Sequence, residues 1–100
     1  MKAKRRSDPF IALGNRNRRQ IVELLAAQPR SVQELADRLP ISRPAVSRHL
    51  KLLSAAGIVA DEQSGTRRLY RLERAHLTEV WRDAAARFKL FAENTRQARR

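Results

Sequence analysis

The chain has 100 residues, 42% of them hydrophobic, which suits one domain with a modest core and excludes compositional disorder. It has no cysteine, which excludes disulfides and thiolate metal sites, and no apolar run reaches the roughly 18 residues of a membrane span. Lys plus Arg number 22 against 10 Asp plus Glu, a net charge of +12. That exceeds what solubility asks of a small domain and points to a polyanionic partner, nucleic acid before an anionic membrane surface.

Residues 1–7 read as a basic tail, with Ser7-Asp8-Pro9 standing where a signal peptide would place its apolar stretch. A cytoplasmic location is therefore expected. Asp8 as cap and Pro9 in the first turn predict a short helix over 9–13, ended by Gly14. A second helix is predicted over 17–27, where Ile21, Leu24 and Leu25 recur at helical spacing before Pro29. Its start carries Arg16, Arg18 and Arg19, where the helix dipole disfavours cations. These arginines either meet phosphate or pair within the chain.

Ser31-Val32-Gln33-Glu34 has the form of a capping box, in which Ser31 accepts from the Glu34 amide and the Glu34 carboxylate reaches back. It opens a third helix ending near Arg38, with Val32, Leu35 and Leu39 as its buried side. Pro40 and Ile41 connect it to a fourth helix over 42–55, capped by Ser42, carrying Pro44 in its first turn and followed by Gly57. Residues 58–63 and 66–72 are rich in β-formers and predict a hairpin. A two-residue loop at Ser64-Gly65 sets Glu62 opposite Arg67 and Asp61 opposite Arg68. A last helix over 75–93 and a basic tail over 95–100 complete the chain. The fold class is mainly α with a small β-hairpin, in the order ααααββα, and residues 1–100 are expected to form a single domain.

A capped short helix, a tight turn and a second capped helix make a helix-turn-helix pattern. At about 100° per residue, Val46, Leu50 and Leu53 share one stripe of the fourth helix, while Pro44, Ser47, Arg48 and Lys51 lie opposite and Arg43 flanks them. A helix entering the major groove needs small and cationic residues in its first turns. Arg43, Pro44, Ser47 and Arg48 are therefore the candidate base-reading residues. Ser42, Lys51, Arg16 and Arg18 are candidates for the DNA backbone, as are Arg67 and Arg68 of a basic wing, where three arginines face two acids. His49 sits at the edge of the stripe, read as a packing or capping residue before a ligand, a pH switch or a phosphate contact.

On the last helix Leu77, Trp81, Ala84, Phe88 and Phe91 repeat at spacings of four and three. Packing on the same domain and docking of a different protein are alternatives. A self-complementary dimer interface completed by Phe10 and Leu13 fits a stripe beyond the hairpin better. A dimer presents two reading helices about one turn of DNA apart, which implies a palindromic operator. The competing expectation is a nonspecific nucleoid- or RNA-binding protein held by charge alone. No Gly-rich phosphate loop, activated nucleophile or carboxylate pair is visible, so an enzyme is not expected.

The stretch Ser42-Arg43-Pro44-Ala45-Val46-Ser47-Arg48-His49-Leu50-Lys51-Leu52-Leu53, followed by Ala56-Gly57-Ile58-Val59, resembles the ArsR/SmtB family of winged-helix repressors. The resemblance extends to residues 18–25 and 65–72 and covers about 9–91. It implies a winged helix-turn-helix and a dimeric repressor that often controls its own operon and releases double-stranded DNA on an inducing signal. It places the reading positions at Arg43, Pro44, Ser47 and Arg48. Metal-sensing members carry cysteines near 34–37 or Asp/His pairs in the last helix; here His76 has no second histidine after it. The chain thus resembles the subgroup without metal ligands, so no metal or cofactor is expected, and the inducing small molecule is left unassigned.

Overall fold

The computed structural model describes residues 8–98, with side chains through residue 86. Seven elements follow in chain order: α1 (Pro9–Ala12), α2 (Arg16–Ala27), α3 (Val32–Arg38), α4 (Arg43–Ala55), β1 (Val59–Ser64), β2 (Arg67–Leu72) and α5 (Arg74–Ala98). This is the predicted order, and the chain is a winged helix-turn-helix: α3 and α4 form the corner and the hairpin the wing.

Local chemistry sets most of the boundaries. Asp8 Oδ1 accepts from the Phe10 amide at 2.8 Å, and Asn15 Oδ1 accepts from the Arg18 amide at 3.1 Å, opening α1 and α2. Ser31 Oγ and Ser42 Oγ accept from the Glu34 and Ala45 amides at 3.2 and 3.3 Å. The end of α4 is a Schellman turn. Gly57 takes φ 75°, its amide donates to Ser54 O, and the Ile58 amide donates to Leu53 O at 3.0 Å. The wing's first strand therefore leaves the reading helix through a fixed, two-bond turn. At the far end α5 continues to Ala98, past the expected stop at Glu93 and into the expected tail, because 94–98 holds neither Gly nor Pro.

Helices α2, α3 and α4 close on one core with the base of the hairpin. Ile21, Leu25, Leu35, Val46, Leu50, Leu53, Ala56 and Ile58 are buried there, joined by Val59 and Leu72. Tyr70 also packs on this core from β2, and residues 61–68 of the hairpin are exposed. A further tie holds its second strand: Arg30 and Tyr70 exchange backbone hydrogen bonds at 3.0 and 2.8 Å, an isolated antiparallel bridge beside the start of α3. Arg30 itself is the buried charged residue among those described; its Nε donates to Leu24 O at 3.1 Å, at the carbonyl end of α2.

The hairpin register differs from the expected one. Ser64 pairs with Arg67, Gln63 with Arg68, Glu62 with Leu69 and Asp61 with Tyr70, so the loop is Gly65-Thr66. Gly65 has φ 63°, and no described non-glycine residue has positive φ. A two-residue loop that is left-handed only at its first position is the type II′ arrangement, which takes Gly first. The expected loop put Gly second and would have forced Ser64 to positive φ. The slip is two residues, so every side chain keeps its face of the strand and only its partners change.

Candidate nucleic-acid interface

Helix α4 presents two chemically opposite sides. Val46, Leu50 and Leu53 are completely buried, while Arg43, Pro44, Ser47, Arg48 and Lys51 are exposed. The first turn holds no acid. Pro44 has no amide N–H and Ala45 gives its own to Ser42 Oγ, which leaves the amides of Ser42 and Arg43 at the helix start. Arg43, Arg48 and Lys51 carry no hydrogen bond or ion pair among the described residues, so the reading side is open and cationic.

The arginines at the start of α2 divide. Arg16 is exposed and free of such contacts among the described residues. Arg18 is drawn inward: Nε donates to Ala12 O at 2.6 Å and Nη1 stands 3.3 Å from His49 Nδ1. Arg19 donates to Leu13 O at 2.9 Å. Pairing within the chain thus accounts for Arg18 and Arg19, and the expectation that Arg18 meets phosphate loses its free guanidinium. A guanidinium only donates, so His49 Nδ1 is the acceptor and the neutral ring carries its proton on Nε2. Burial, then the charges of Arg18 and Arg48, hold the His49 pKa below its ordinary value. Sequence reasoning put His49 at a core boundary but missed its partner, which lies 31 residues away.

The wing's cations are also spoken for. Arg68 Nε lies 3.3 Å from Asp61 Oδ2, and Arg71 Nε lies 3.6 Å from Glu62 Oε2, both pairs diagonal across the hairpin. Arg71 also meets Glu73. Glu62 is thereby taken by Arg71 rather than by Arg67, and Arg67 pairs with Glu34 in the first turn of α3. The Glu34 carboxylate therefore faces the wing, where the capping box had turned it back to Ser31. The expected surplus of wing arginines over acids disappears once Glu34 and Glu73 are included.

The apolar stripe divides as well. Leu13 and Leu77 pack against their own core. Phe10 and Trp81 are exposed, Trp81 at 76%, and Ala84 is half-buried. Phe88 and Phe91 lie outside the described side chains. Two exposed apolar residues escaped the sequence reading: Ile11 at 72% and Leu52 at 48%, which line an open cavity of about 380 Å³ with Asp8, Ala12 and Arg18. Neither lies on a helical apolar stripe: Ile11 sits in a four-residue helix and Leu52 off the α4 stripe.

His76 is bound to the fold, with Nε2 3.1 Å from Ala56 O. Among the described residues no three His, Cys, Asp or Glu side chains gather as metal ligands. No described helix is long and apolar enough to cross a membrane.

Residues 13–62 match a family model described as a helix-turn-helix domain. The chain is 51% identical over 72 residues to the HTH-type transcriptional regulator Rv2034 of Mycobacterium tuberculosis, a match over 72% of this chain and 67% of that protein. Among solved structures it is similar to an ArsR-like transcriptional regulator from Rhodococcus sp. RHA1, with a TM-score of 0.77 and 32% identity over 85% of this chain and 80% of that one. It is also similar to the homodimeric winged helix-turn-helix DNA-binding domain Mb0332 of Mycobacterium bovis, a possible ArsR-family regulator. There the TM-score is 0.62 and the identity 31%, over 77% of this chain and 74% of that one.

Proposed function

The chain belongs to the ArsR/SmtB family of winged helix-turn-helix transcriptional regulators, and from that premise we propose that it is a homodimeric repressor that reads a palindromic operator. The observation that carries this reading is the split of α4, with its apolar stripe fully buried and Arg43, Pro44, Ser47 and Arg48 exposed together at its N-terminal end. Small and cationic residues there let the helix approach base edges, and arginine can bond guanine through both its acceptors. Ser42, Lys51 and Arg16 meet phosphate beside it. Arg68 is the wing cation most open to the backbone, because its pair with Asp61 is exposed and such pairs contribute about 1 kcal/mol or less.

The dimer reading rests on Trp81 and Ile11, apolar side chains that a single copy leaves largely exposed on α5 and α1. Two copies joined across α1 and α5 bring two reading helices to neighbouring major grooves. Selection of bound DNA from a random pool tests the whole reading. Recovery of a palindrome is the expected result. Replacing Ser47 and Arg48 together by Ala should then reduce the preference for that palindrome over random DNA at least tenfold while weak general binding survives. A selected pool without any consensus would favour a charge-driven nucleoid- or RNA-binding protein instead.

A further inference from the structure

We propose that Arg67 is not a DNA contact but a positioning residue: its pair with Glu34 clamps the tip of the wing onto the first helix of the helix-turn-helix. The inference rests on the DNA-binding reading above, and it changes which wing residue is asked to touch the backbone.

Three observations support it. First, the tip has no core packing to orient it: Val59, Leu72 and Tyr70 anchor the base of the hairpin, while residues 61–68 are exposed. Second, the clamp is one of two ties between the same pair of segments. The Arg30–Tyr70 backbone bridge fixes β2 beside the residue that precedes the α3 cap, and Arg67–Glu34 joins the same strand, three residues nearer the tip, to the same segment four residues on. A single tie leaves a strand free to pivot, and two ties at that spacing set its direction. Third, the register frees Arg67 for this role. Glu62 lies on its face of the hairpin but is held by Arg71, and Asp61 is held by Arg68 on the other face. Glu34 is also positioned for it, because the Ser31 cap fixes the helical turn that carries it.

The clamp and the contact readings predict different things of the same variants. If Arg67 touches phosphate, Arg67→Ala removes one neutralised charge, and the slope of log K against log salt falls by about 0.9. If it is a clamp, the slope stays at the wild-type value and affinity drops about two- to fivefold, in the range of an exposed pair. The charge swap separates them further. Arg67→Glu alone should weaken binding at least tenfold. Adding Glu34→Arg to it restores the pair with its signs reversed and should recover most of that loss. A phosphate contact cannot be recovered this way, because the swap leaves a carboxylate facing the backbone.

A readout without DNA keeps this inference separate from the DNA-binding reading. Backbone order parameters of the wing, measured by NMR on the free full-length chain, should fall in Arg67→Ala and in Glu34→Gln and return in the swapped pair. Thermal melts of each variant check that the fold is intact. An unchanged wing in both single variants, or a salt slope lowered by about one in Arg67→Ala, overturns the clamp. Loss of all sequence preference in the wild-type chain with the wing still ordered would instead remove the regulator reading and leave the clamp standing.

Discussion

At the scale of single residues, His49 links the reading helix to the rest of the fold. Its Nδ1 accepts from Arg18, which also holds the last residue of α1, so three helices meet at one imidazole. Protonation would remove the acceptor and place a third positive charge between Arg18 and Arg48. The His49 pKa lies below the ordinary 6.5 in the folded chain, so the unfolded chain binds the proton first as pH falls. The neutral ring's contribution to stability is therefore whole above pH 6.5 and is lost as pH drops from there through the lower folded value. Melting temperatures at pH 7.5 and 5.5 should fall further in the wild type than in His49→Gln, whose amide oxygen accepts from Arg18 at both. Equal falls would remove His49 from that account. The sequence showed that His49 borders the apolar stripe, but the Arg18 partner arrives through tertiary packing.

At the scale of elements, caps and turns decide the architecture. Asp8, Asn15, Ser31 and Ser42 each hold a first-turn amide, and each acts within three residues of itself. Such bonds depend on local sequence alone, which is why helix starts were legible to within a residue or two. The hairpin is equally local, but its register turns on which loop position takes positive φ, and Gly65 occupies the first rather than the second. A methyl group at Gly65 would meet no atom within 4 Å, so replacing it by Ala costs only the backbone strain at φ 63°, about 1–3 kcal/mol. Denaturant unfolding of Gly65→Ala should report that loss, and Gly65→Asn should lose less. A loss well above about 3 kcal/mol would mean that the turn is held by more than its backbone. The wing's direction answers to different physics, since both of its ties join residues more than 30 positions apart.

At the scale of the molecule, the described chain buries a core of small helices and leaves Ile11 of α1 and Trp81 of α5 largely exposed, with Phe10 of α1 partly exposed. Trp81, Ile11 and Phe10 lie on the two elements expected to meet a second copy. Covering a side chain of that size stabilises an association by about 1.5–3 kcal/mol. Trp81→Glu places a charge in that interface and should convert the dimer to monomer in sedimentation at micromolar concentration. The helical signal of the monomer should survive, because Trp81 contributes little to its own core. The wild-type melting temperature should rise with protein concentration, as it does for any fold coupled to self-association. A wild type that sediments as a monomer would remove the dimer and, with it, the palindrome.

The sequence by itself determined the order of elements, the helix caps, the buried stripe of α4 and the cationic side opposite it. Each follows from interactions within a turn or two of helix, or from the period of a side-chain pattern, and these are written into neighbouring residues. Only the tertiary structure decided which charges remain available. Arg18 is taken by Ala12 and His49, Arg67 by Glu34, and Arg71 by Glu62 and Glu73, while Arg43 and Arg48 stay open. Charge counting cannot reveal this, because an ion pair depends on distance, and folding brings together residues that the chain holds far apart.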